Sequence, residues 1–219
     1  MNMKKLGALI IGAVVVATSM FTALPAANAE AAAKSAAADN KILGKTTEKA
    51  YINEFFNIRI PIYHNSEVAN DAELAAQNEC DANGYNEDSR VSAINSGDTI
   101  VAQYIHNPKK DIYVMIGKFS SAEEKNEYMK HMNKNDLTNT LAIYKNDSSY
   151  TDVKGEIKKI DCLGKQRPVV MITGKCDGED FMDVHLHYVQ KDYHISYLIS
   201  GLGTNQVELL EKAKRIKKQ

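Results

Sequence analysis

The 219-residue sequence has no tryptophan, four prolines, three cysteines and almost no excess of either charge, with 27 basic side chains against 28 acidic. Each shortage excludes something. Near-neutrality removes the electrostatic footprint of a strongly basic nucleic-acid binder, and 25% charged with 44% hydrophobic residues is not the composition of a disordered tail or a collagen. Cys80, Cys162 and Cys176 allow at most one intramolecular disulfide, in any of three pairings. None of their spacings is C-x-x-C, so neither a thioredoxin-type redox pair nor a zinc knuckle is indicated. Beyond position 30 no apolar run approaches the roughly 20 residues a membrane helix requires. G-x-S-x-G, H-E-x-x-H and the P-loop are absent. Gly201-Leu202-Gly203 lacks the third glycine and the parallel β-α-β setting of a dinucleotide loop, and reads as a strand-to-helix turn.

What is there begins with a leader. Met1 to Lys5 is short and basic, Leu6 to Leu24 is apolar, Pro25 ends the run, and Ala27-Asn28-Ala29 fits an A-x-A cleavage site. This predicts a signal peptide over residues 1–29 and a mature chain starting at Glu30, secreted or held in the periplasm or cell envelope. No stable membrane insertion is expected once the leader is removed. The alternative is a retained anchor, because the apolar run just reaches across a bilayer. Losing Lys4 and Lys5 takes the formal charge from −1 to −3, which selects no class of partner.

Residues 30–45 read as an Ala-rich spacer, since Glu30 to Lys41 offers a core no large side chain. Residues 46–219 read as a single α+β domain. Ile58 and Ile60 alternate with Asn57 and Arg59 as in a half-buried strand stopped by Pro61. Asn70 with Glu73, Ser121 with Glu124, and Asn205 with Glu208 have capping-box spacing and predict three helix starts. Gly84 is read as the stop of the first helix, and Ala122, Met129 and Met132 as the buried face of the second. Leu209, Ala213 and Ile216 are the predicted stripe of the last helix, with Lys212, Lys214, Arg215, Lys217 and Lys218 at the end its dipole favours. Strands are expected at Thr99 to Ile105 and Ile112 to Phe119, joined by a loop longer than the tightest hairpin. Four more follow: Gly155 to Asp161, Pro168 to Thr173, Phe181 to Gln190 and Tyr193 to Ser200. Lys134 to Lys154, rich in Asn, Asp, Ser and Thr, reads as the most mobile segment.

The opening Tyr51-x-Asn53-x-x-Phe56…Pro61, followed by helix, hairpin, Ser-Ala-Glu-Glu helix start, meander and final helix, resembles the PsbP-like superfamily of small exported proteins. A departure is that Pro61 is followed by Ile62-Tyr63-His64 where members often carry Trp. The resemblance implies an antiparallel sheet with helices packed on it, an α/β/α sandwich, and a non-catalytic binding or accessory role. A protein or small ligand is then the expected partner, with no nucleic acid. The alternative is a small extracytoplasmic hydrolase.

The last hairpin carries the densest chemistry. With Lys191-Asp192 as a two-residue turn, Gln190 pairs with Tyr193, Tyr188 with Ile195 and Leu186 with Tyr197, so both apolar faces coincide. The same register puts His187 opposite Ser196 and gathers Asp183, His185, His187 and His194 on the other face. Three imidazoles and a carboxylate suit a divalent transition metal, and these four are the candidate ligands of a surface site. The same pattern also describes an ordinary polar sheet face or a sheet-to-helix contact.

Overall fold

The computed structural model describes residues 41–216, so the predicted leader, residues 30–40 of the spacer, and Lys217 and Lys218 of the predicted last helix lie outside the described residues. In chain order it contains β1 (Lys45–Thr46), β2 (Ala50–Asn53), β3 (Ile58–Pro61), β4 (Glu67–Val68), α1 (Asp71–Gln77), α2 (Glu87–Asn95), β5 (Ile100–Asn107), β6 (Lys110–Lys118), α3 (Ala122–Asn146), β7 (Tyr150–Cys162), β8 (Lys165–Cys176), β9 (Glu179–Gln190), β10 (Tyr193–Leu202), α4 (Val207–Glu211) and β11 (Lys214–Arg215). The strands form two antiparallel sheets, ordered β1-β2-β3-β11 and β4-β5-β6-β10-β9-β8-β7. The fold is therefore α+β and built on antiparallel sheet. No helix among the described residues is long and apolar enough to cross a membrane.

Local chemistry explains the hairpins. Leu163-Gly164 and Asp177-Gly178 have positive φ at both residues, as a type I′ turn demands, and each joins adjacent long strands. The β9–β10 register has the expected partners, Gln190 with Tyr193, Tyr188 with Ile195 and His187 with Ser196. The β5–β6 turn is tighter than expected. Asn107 pairs with Lys110, and the Asn107 carboxamide oxygen accepts from the Lys109 and Lys110 amides at 3.0 Å each, closing a two-residue Pro108-Lys109 loop.

Alternation splits the large sheet into two buried faces. Ile112, Val114 and Ile116 of β6, Val184 and Leu186 of β9, and Ile195, Tyr197 and Ile199 of β10 form one core. The small sheet joins that core through Tyr51, Ile58 and Ile60, and so do Ile42 and Leu43 from the end of the stretch read as spacer. The opposite face, with Tyr113, Met115, Val170, Ile172, Phe181 and Leu198, packs with Leu74 of α1 and Tyr144 of α3. Helix α3 lies across β7, β8 and β9. It packs tightly on Gly155 of β7, where a Cβ would stand 2.5 Å from Leu137 Cδ1.

Several expectations need correcting. Lys134 to Lys154 is not a loop: α3 runs through Asn146 and β7 starts at Tyr150. The buried stripe of α3 is Asp136, Thr140 and Tyr144 at i, i+4, i+8 spacing, while Met129 is 45% exposed. Hydrophobicity could not reveal a buried face made largely of polar side chains. Helix α1 ends at Gln77, well short of Gly84, although Asn70 and Glu73 do form the full capping box. Helix α2 opens on an Asn86–Ser89 box, outside the three predicted helix starts. The last helix is only Val207–Glu211, without a side-chain cap, because Lys214–Arg215 leaves helical geometry to pair with Arg59 and Ile58 of β3.

Candidate functional site

The face of β9 and β10 that carries the four predicted ligands is not open surface. Helix α3 covers it, and Asp183, His185, His187 and His194 are all buried. Of the arrangements the pattern allows, the structure has the sheet-to-helix contact and not the surface site.

The helix brings a fifth residue, Asp136, to the four predicted ligands. Asp136 Oδ2 accepts from His185 Nδ1 and from His187 Nε2, both at 2.8 Å, and its Oδ1 accepts from the Thr140 hydroxyl at 3.0 Å. A carboxylate can only accept, so the ring nitrogens facing it carry the protons. On its other side His187 Nδ1 is hydrogen-bonded to the Ser196 hydroxyl, 2.8 Å away across the strand pair. The three groups Ser196, His187 and Asp136 thus stand in the order hydroxyl, imidazole, carboxylate. The recurrence of Asp136, Thr140 and Tyr144 at four-residue intervals, on the flank of Leu137 and Leu141, is the sequence signal that could have located this face.

Electrostatics follow from closure. Burial alone would push the Asp136 carboxyl up, but the two imidazoles beside it outweigh that and hold it well below the usual carboxylate range. Burial alone would lower His185, yet the charge and hydrogen bond of Asp136 leave it raised. Among the described residues His194 has no carboxylate partner. Burial and the nearby His187 push it down to about 3. Its ring sits 5.1 Å from that of Phe119 and 4.8 Å from that of Tyr128, and its Nε2 is 3.3 Å from the Thr99 hydroxyl.

Asp183 lies further along the row. It accepts a hydrogen bond from Tyr144 of α3, and burial raises its carboxyl. Across Ser200 of β10 it faces Asp111 of β6, which accepts from Tyr104 at 2.9 Å and is pushed up to about 6 by burial. Of the four predicted ligands, the structure therefore joins His185 and His187 through Asp136, while Asp183 is engaged by Tyr144 and His194 by Thr99. Among the described residues no group of three or more His, Cys, Asp or Glu is placed to hold a metal ion. None of the three cysteines is in a disulfide; Cys80 is exposed, and Cys162 and Cys176 are buried on opposite faces of the large sheet.

No protein-family model matches the chain, and no curated protein matches it.

Proposed function

We propose that the chain is an exported, non-catalytic binding or accessory domain of PsbP-like type. The observation that carries this reading is where its most reactive groups sit: Ser196, His187 and Asp136, 2%, 8% and 5% exposed, are spent on fastening α3 to the sheet. The residues of the resemblance act structurally in the same way. Asn53 donates to Ile42 O at 2.6 Å and to Tyr51 Oη at 2.8 Å, and accepts from Phe56 N at 3.0 Å, so Tyr51, Asn53 and Phe56 knit the small sheet together. Mass spectrometry of the native protein is expected to find Glu30 at its N-terminus, and an intact membrane-held chain starting at Met1 would overturn export.

One observation favours a small hydrolase as the second reading: the hydroxyl, imidazole and carboxylate order has the connectivity of a nucleophile, a base and an orienting acid. A fluorophosphonate probe applied to the parent and to Ser196→Ala separates the two. The accessory reading expects no label that depends on Ser196; label lost in Ser196→Ala establishes the hydrolase.

The transition metal expected of the histidine face remains part of the proposal, with Asp136 in the donor set beside His185 and His187. A tetrahedral ion with bonds of 2.0–2.1 Å needs donors about 3.3 Å apart, so the two 2.8 Å contacts must widen. Calorimetry with zinc on the parent, His185→Ala and His187→Ala decides it, and equal heats in all three remove the metal.

A further inference from the structure

A separate cluster of charge lies on the opposite face of the large sheet, where β11 of the small sheet meets β9. Arg167 of β8 is 8% exposed, and its Nε donates to Cys162 O at 3.2 Å. Arg215 of β11 donates from Nη1 to Phe56 O at 3.1 Å and from Nη2 to Tyr188 Oη at 2.8 Å. The guanidinium carbons of Arg167 and Arg215 stand 4.9 and 4.8 Å from the centre of the one Tyr188 ring.

Two permanent positive charges therefore share one aromatic ring. Among the described residues, no ion pair joins either arginine to a carboxylate. Burial and the Arg215 charge both oppose the charged form of Arg167. The ring offsets part of that cost, since the quadrupole of an aromatic face attracts a cation. One donor stands out: Arg167 Nη2 is enclosed and has no hydrogen-bond partner among the described residues. A buried guanidinium nitrogen in that state calls for an acceptor.

Space lies next to the cluster. Glu54, Phe55, Asn57, Gln190 and Ile216 line a hollow of about 320 Å³; Ile216 follows Arg215 in the chain, and Asn57 O accepts from Arg215 Nη1 at 3.5 Å. Gln190 connects the two, because its Oε1 accepts from the Tyr188 hydroxyl at 3.3 Å. Glu54, the acidic group there, is paired with Lys41 at 2.8 Å.

We propose that Arg167 and Arg215 form a receptor for a phosphate-type oxyanion, either inorganic phosphate or the headgroup of a phosphomonoester whose substituent lies in the hollow against Phe55 and Ile216. A dianion with several acceptor oxygens offsets both charges, whereas a monoanionic carboxylate matches one. The proposal does not depend on the role of the α3-covered face.

The test is calorimetry at constant ionic strength on the full chain, with inorganic phosphate, phenyl phosphate and acetate as probes and Arg215→Gln and Arg167→Gln as variants. The parent is expected to bind phosphate, with acetate at least tenfold weaker and Arg215→Gln at least tenfold weaker than the parent. Arg215 is only half-buried, so its variant carries the test even where Arg167→Gln fails to fold. Phenyl phosphate binding several-fold tighter than phosphate supports the phosphomonoester, and equal affinity supports the free anion. No phosphate binding by the parent at millimolar concentration, or an unchanged affinity in Arg215→Gln, overturns the proposal.

Discussion

His194 Nε2 lies directly above Gly117: the two residues pair across β10 and β6, and a Cβ at position 117 would stand 2.4 Å from that nitrogen. The absent side chain is what leaves room for a buried imidazole there. Thr99 Oγ1 is equally near the same point, so an added methyl meets two neighbours at once. Gly117→Ala is expected to destabilise the protein by about 1–3 kcal/mol, the usual cost of overpacking a closed interior. Urea denaturation measures it, and a loss below about 0.5 kcal/mol would show that the ring moves aside freely.

His194 also sets a pH dependence. Its ring titrates near 6.5 in the unfolded chain and is pushed down to about 3 in the native state, so between these values the unfolded chain binds the proton and the native state does not. This contribution is full above pH 6.5 and lost as the pH falls towards 3. Asp111, raised to about 6, has the opposite sign over part of the range, so the comparison must be with a variant. Between pH 6.5 and 5 the parent is expected to lose about 2 kcal/mol relative to His194→Phe. A constant difference between the two would place the native titration near its ordinary value.

Thiol labelling gives a simple check of the two-faced core. Cys80 is exposed, Cys162 is buried with its thiol pushed up to about 11, and Cys176 is buried and raised as well, burial being the main cause in both. A disulfide-exchange reagent at neutral pH is expected to modify one thiol quickly in the native protein and three after unfolding. Two rapid modifications would mean that one sheet face opens readily.

The sheet was legible in the sequence because it obeys the two rules that sequence carries best. Period-two alternation in Met182, Val184, Leu186 and Tyr188, and in Ile195, Tyr197 and Ile199, fixes which side is core. The two-residue turn at Lys191-Asp192 then fixes the register. What escaped was the partner of the other face. The buried stripe of α3 begins with Asp136 and Thr140, residue types that ordinarily mark a solvated face, and they are buried because His185 and His187 supply the donors that Asp136 needs. A polar helix face and a polar sheet face each read as surface on their own, and only their pairing makes an interior. Likewise β11 is two residues whose place comes from Arg59 and Ile58 of β3, a long-range pairing with no local signature.

The same pairing predicts how Asp136 and His185 share their energy. Asp136→Ala leaves two imidazole donors enclosed with no acceptor, and His185→Ala leaves a buried carboxylate with one imidazole fewer. Removing one partner of a buried ion pair costs about 3–5 kcal/mol, because the survivor stays desolvated. Asp136→Leu combined with His185→Leu removes both members and restores apolar packing between α3 and β9, so it is expected to cost less than the sum of its single variants. A double-mutant cycle by urea denaturation at pH 7 should give a coupling of about 0.5–3 kcal/mol. Additive losses would mean that the helix is held to the sheet by its apolar flank at Leu137 and Leu141, and that Asp136 only tolerates the histidines beneath it.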